Sequence, residues 1–113
     1  MRRNLIQVFA CGVVFVGLIT SGTGISQAQD GGETVFKSRC VACHGPDGKG
    51  QVPLGKKLGA ADLTSTEVQS QSDVQLTDII TKGKDKMPSF DGKLSKDQIA
   101  EVVAYIRGFG QKH

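Results

Sequence analysis

Ile99, Val102, Val103 and Ile106 fall at i, i+3, i+4 and i+7, the spacing that lines one face of a helix with apolar side chains. Ser95 precedes them and Gln98 stands three positions after Ser95, the reciprocal pair that satisfies free N–H groups at a helix start. A last helix running to about Arg107 is therefore predicted. A second amphipathic stretch extends from Asp73 to Lys82, with Ser72 placed to cap it and Gly83 to stop it. Its apolar residues are Val74, Leu76, Ile79 and Ile80. Glu33 to Arg39 reads as a short first helix, with Val35 and Phe36 as its apolar side. Residues 45–71 hold Gly45, Gly48, Gly50, Gly55 and Gly59 with Pro46 and Pro53, without a sustained period, and predict loop. No alternating strand pattern and no internal repeat appears. The fold class expected is all-α, three to five short helices joined by glycine-rich loops.

The N-terminus follows a different pattern. Arg2 and Arg3 precede an uncharged apolar run from Leu5 to Ile19, and small and polar residues lead on to Ser26-Gln27-Ala28. This is the order of a secretory signal over residues 1–28, with cleavage between Ala28 and Gln29 and a mature domain of residues 29–113. The arginine pair alone is a poor twin-arginine signal, so Sec-type export is expected. One alternative is retention: no charge occurs from Asn4 to Gln29, so residues 5–25 are long enough to span a bilayer if uncleaved. Cys11 could also suggest lipid attachment. Most of the apolar run follows Cys11, however, whereas a lipoprotein cysteine comes after such a run, and Cys11 reads as an ordinary small residue of the signal. Loss of Arg2 and Arg3 takes the formal net charge from +3 to +1, so the mature domain is close to neutral. The absence of an aromatic platform or a basic helix speaks against nucleic acid as a partner. With 38% hydrophobic and 5% aromatic residues the chain can form one small domain, and domains of this size often need a staple.

Cys40-Val41-Ala42-Cys43-His44 supplies the chemistry of such a staple. Two thiols three positions apart on one helical turn can each add to a vinyl group on a haem edge, and the following histidine then lies beneath the iron. C-x-x-C-H is the attachment signature of c-type haem. Zinc is a weaker reading, because a structural site needs four ligands and the chain offers only Cys11 and His113 besides these. A dithiol redox pair would want a surrounding βαβ pattern, and no strand flanks the segment. Cys40 and Cys43 are thus the candidate covalent attachment points and His44 the candidate axial ligand. Met87, the one methionine besides Met1, sits in Lys86-Met87-Pro88-Ser89-Phe90. A lone methionine is usually core filler. Here its flanks are polar and Pro88 pushes it toward an extended backbone, which suits a ligand in a stiff loop. Met87 is the candidate sixth iron ligand, and Met/His ligation raises a haem's reduction potential.

These residues resemble those of the class I c-type cytochromes, close to the single-haem cytochrome c6 and c-555 type. The resemblance rests on Cys40 to Gly45, Asp47-Gly48-Lys49-Gly50, Lys86-Met87-Pro88 and the terminal Val102-Val103-Ala104-Tyr105-Ile106 stretch, and covers roughly residues 32–110. It implies a small cytochrome c fold wrapped around one covalent haem c, with the first and last helices crossing where Phe36 meets Tyr105. It also implies haem attachment outside the cytoplasm and a proline carbonyl, here Pro53, accepting a hydrogen bond from the proximal imidazole. Loop stiffening is the competing role for Pro53. The function expected is a periplasmic, monomeric electron carrier passing one electron at a time between a membrane donor and a terminal acceptor. Lys56, Lys57, Lys82, Lys84, Lys86 and Lys93 would flank the haem and could steer acidic partners. One alternative is a membrane-tethered cytochrome subunit of a respiratory oxidoreductase complex, held by residues 5–25. Another is a peroxidase-type haem enzyme. That one would need a distal His/Arg pair, which Arg39, Arg107 and His113 do not offer.

Overall fold

A computed structural model of the chain describes residues 12–14, 17 and 26–111. Among the described residues six helical segments follow in order: α1 (Ser26–Arg39), α2 (Val41–His44), α3 (Pro53–Leu58), α4 (Thr66–Gln69), α5 (Asp73–Lys82) and α6 (Lys96–Phe109). Two of them, α2 and α4, are single turns of four residues, which carries the count past the three to five expected. Among the described residues there is no strand, only an isolated bridge between Lys84 and Met87. The fold is all-α. The expected leader, residues 1–28, falls mostly outside the described residues. Among those described, no helix is long and apolar enough to cross a membrane.

The capping residues act where their sequence placed them. Ser95 accepts from the Gln98 N–H while the Gln98 side chain bonds back to the Ser95 N–H, and Ser72 and Gln75 repeat the arrangement on α5. Gly83 closes α5 with φ 78°, a backbone that favours glycine. Three expectations need correction. Helix α1 begins at Ser26 rather than Glu33. The predicted loop 45–71 contains α3, which opens with Pro53 in its first turn and ends at Gly59 with φ 70°, and α4, capped by Ser65. Val74, expected on the apolar face of α5, is 79% exposed, and only Leu76 and Ile80 of that face are fully buried.

The core lies where α1 crosses α6. Phe36 and Val102 are almost wholly buried. Phe36 meets Tyr105 with ring centroids 5.3 Å apart, as the resemblance implied, and Phe109 completes a three-ring cluster at 5.2 and 5.3 Å. Such tilted ring pairs contribute about 0.5–1.5 kcal/mol each beyond their burial. The helices approach closely because Gly32 carries no side chain: a Cβ there would collide with the Glu101 carbonyl and lie 2.9 Å from the Tyr105 Cβ. The far end of α6 is held by Arg107, which pairs with Asp73 at 2.8 Å and donates to the Gln69 carbonyl at 2.9 Å and to the Gln71 carbonyl. Gln69 in turn donates to the carbonyls of Leu63 and Ile106 at 2.7 and 3.0 Å. This clasp fixes α6 to the α4–α5 turn, and with it the frame on which the site is built.

Candidate functional site

The turn that carries the two thiols is made by a break in the helix. Cys40 still donates to the Phe36 carbonyl at 2.9 Å, then ends α1, and its own carbonyl accepts from Cys43 and His44 at 3.2 and 3.0 Å. Residues 40, 43 and 44 thereby project from one face, as positions three and four apart on a helix do. Gly45, with φ 76°, stops the turn. The loop behind it folds back: Gly50 donates to the His44 carbonyl at 2.7 Å, and Leu63 to the Gly48 carbonyl at 2.7 Å. Helix α3 then lies directly on α2, since a Cβ on Gly55 would strike the Cys43 carbonyl.

His44 Nδ1 lies 3.0 Å from the Ala61 carbonyl oxygen. A carbonyl can only accept, so Nδ1 carries the proton and Nε2 keeps its lone pair for a metal. Burial lowers the His44 pKa and outweighs the Ala61 hydrogen bond, which raises it, so the ring is neutral, the form that ligates. The expected acceptor, Pro53, does not fill this role. It starts α3, and Ala61, further along the loop, supplies the carbonyl. Both thiols are free and half-buried. Burial, with the nearby Cys43 as second cause, pushes the Cys40 thiol up to about 11, so it stays protonated at neutral pH.

Met87 approaches from the other end of the chain. Its backbone exchanges hydrogen bonds with Lys84, at 2.8 Å from Met87 N and 3.2 Å to Met87 O. Its side chain is half-buried and packs against the same core as Cys40. The structure thus puts Cys40, Cys43 and His44 on one turn and brings Met87 to the core that Cys40 also touches. An open groove of about 470 Å³ along α5, from Asp73 to Thr81, involves none of the four. Lys84 and Lys86 stand exposed in the turn before Met87, whereas Lys82 pairs with Asp78 at 2.7 Å. Among the described residues, no group of three or more His, Cys, Asp or Glu side chains is placed to hold a bare metal ion. The donor set fits a covalently held iron porphyrin: two thiols one turn apart, a neutral imidazole with Nε2 free, and a thioether on a braced loop. Sequence reasoning missed Ala61, because a backbone acceptor leaves no side-chain signature.

The comparisons agree with this chemistry. A family model described as cytochrome c oxidase, cbb3-type, subunit III matches residues 27–106. Cytochrome c6 of Rippkaea orientalis is 35% identical over 106 residues, covering 94% of this chain and 92% of its own length. The cbb3-type oxidase subunit FixP of Bradyrhizobium diazoefficiens is 32% identical over 70% of this chain but only 27% of its own length. In three dimensions, the KustC0563 c-type cytochrome superposes with a TM-score of 0.64 at 32% identity, over 69% of this chain and 95% of that one. The matched stretch runs from the start of α1 into the last turns of α6 and carries the attachment turn within it. The chain therefore belongs to the class I c-type cytochromes, electron carriers built around one covalently attached haem c rather than enzymes.

Proposed function

We propose that this chain is an exported, periplasmic carrier in which Cys40 and Cys43 tether the haem and His44 and Met87 are its axial ligands. The observation that carries the ligand reading is the Nδ1 hydrogen bond of His44 to Ala61, which points the ring's basic nitrogen away from its anchor. When bound, the haem supplies a reversible one-electron ferric/ferrous couple. The chain's residues do the rest. His44, held by Ala61, offers Nε2 from a fixed ring. Met87 would offer the iron a soft sulfur, which favours the reduced state and raises the potential. Cys40 and Cys43 keep the group in place through every cycle. Exposed Lys84 and Lys86, with the exposed Asp85 between them, leave a small local excess of positive charge on a nearly neutral surface, suited to brief, salt-sensitive encounters with acidic partners. The partners inferred are a membrane donor and a terminal acceptor, met by a monomer. The leader is read as residues 1–28, with the carrier as residues 29–113.

Met87→Ala tests the ligand assignment. Haem should stay attached, because Cys40 and Cys43 are untouched, while the potential falls and cyanide or carbon monoxide binds more readily. A variant with the wild-type potential that still refuses small ligands would remove Met87 from the site. The second reading, a tethered subunit of an oxidase complex, draws on the FixP match, although this chain spans only 27% of that protein. N-terminal sequencing of the purified protein separates the two: Gln29 as first residue supports the free carrier, and an intact leader supports the tether.

A further inference from the structure

The last turn of a helix leaves carbonyl groups without helical partners. At the end of α5 the segment after Met87 supplies the donors. Phe90 N donates to the Ile80 carbonyl and Asp91 N to the Thr81 carbonyl, both at 3.1 Å. Ser89 adds a side-chain bond to the same place: its Oγ donates to the Thr81 carbonyl at 2.7 Å and accepts from Asp91 N at 3.2 Å. The Thr81 hydroxyl takes no part, since it donates back to the Thr77 carbonyl at 2.7 Å. Ser89 is therefore the polar side chain that fastens this loop to α5, beside the buried Phe90.

Met87 lies two residues before it, with Pro88 between them. The fixed φ of proline removes a main torsional freedom of that link, so a shift at Ser89 is passed on to Met87. The loop also lies tight over Gly83, where a Cβ would come within 2.7 Å of the Met87 carbonyl oxygen and 2.9 Å of Ser89 N. On its other side Met87 is held by the Lys84 bridge, and that turn passes through Asp85 with φ 52°. A residue other than glycine pays a strain cost in that region. Of the two anchors, the Ser89 side is thus the unstrained one.

We propose that Ser89 is a positioning residue for Met87: by bonding the Thr81 carbonyl it holds the loop on α5 and keeps the thioether where it can ligate the iron. The proposal rests on the reading of Met87 as sixth ligand. Ser89→Ala leaves Asp91 N with one acceptor and removes the short bond to Thr81. Ser89→Thr keeps the hydroxyl.

The test uses both variants as holoproteins. Three quantities are compared with the wild type: the temperature at which the long-wavelength ferric band of a sulfur-ligated iron disappears, the helix melt by circular dichroism, and the cyanide binding rate. In Ser89→Ala the band should vanish at a lower temperature while the helix melt moves less. Cyanide should bind about fivefold faster, the factor by which loss of one ordinary hydrogen bond shifts an opening equilibrium. Ser89→Thr should restore both. If band and helix melt move together and the cyanide rate stays at wild type, Ser89 is only a helix cap and the proposal fails. A wild-type ferric protein without the band removes the Met87 reading and Ser89's role with it. A band present in the wild type and unmoved in Ser89→Ala removes Ser89's role alone.

Discussion

At His44 two influences oppose each other. Burial disfavours the charged ring, the Ala61 carbonyl favours it, and burial prevails. The folded chain thus holds a neutral imidazole, and iron ligation would hold it neutral more firmly still. The unfolded chain takes up a proton once the pH drops below the ordinary imidazole value, so the unfolded state gains protons that the folded state refuses. Stability from His44 is accordingly full above that value and declines as the pH falls from it toward the lowered folded value. The expected result is a lower denaturant midpoint at about pH 5 than at about pH 7, a window in which few ordinary side chains other than histidine titrate. A midpoint that is equal or higher at the acid end would mean that His44 is not held neutral. Asp85 gives a second test at this scale. Its φ of 52° is strained for a side chain with a Cβ. Asp85→Gly should raise stability by about 0.5 kcal/mol, the relief of strain being partly offset by the freer unfolded chain. A loss measured by chemical unfolding would show that the Asp85 side chain does something at the turn that outweighs its strain.

Among the elements, α5 and α6 were legible because their signals are local. Ser72 and Gly83, Ser95 and Gln98, and a face repeating every three to four residues all lie within a few positions of what they control. The attachment turn at 40–44 was legible for the same reason. The start of α1 was not, because Gly31 and Gly32 oppose a helix by propensity and are helical only through packing on α6. Nor were α3 and α4, where glycine and proline read as punctuation although Pro53 in fact opens a helix and Gly59 closes it. Val74 is apolar but faces solvent, because it stands two positions before Leu76, about 200° round the helix from the buried Leu76–Ile80 side. Gly32→Ala makes the α1–α6 contact measurable. The added methyl would meet the Glu101 backbone, which cannot swing aside as a side chain can. A loss of about 1–3 kcal/mol is expected, the usual cost of overpacking. An unchanged melting temperature would show that the crossing has slack.

At the scale of the whole molecule, the apolar core is unevenly shared. Helices α1, α5 and α6 supply Phe36, Leu76, Ile80, Val102 and Phe109, whereas α2 buries no residue and α3 buries only Gly55. The α2–α3 half is tied down by backbone hydrogen bonds, among them Gly50 to His44 and Leu63 to Gly48. Such bonds stabilise by only about 0.5–1.5 kcal/mol each once exchange with water is counted. That half therefore depends on the haem for its apolar partner, and the α1–α6 half does not. A chain that cannot attach haem, Cys40→Ser with Cys43→Ser, should divide along this line. Amide hydrogen exchange should be slowest in α1 and α6, where Phe36, Tyr105 and Phe109 still pack, and protection should be largely lost over residues 41–61. Equal protection in both halves would mean that the loop backbone holds itself. Complete loss in both would mean that the three-ring crossing is too small to stand without the haem, and that the whole domain needs its staple.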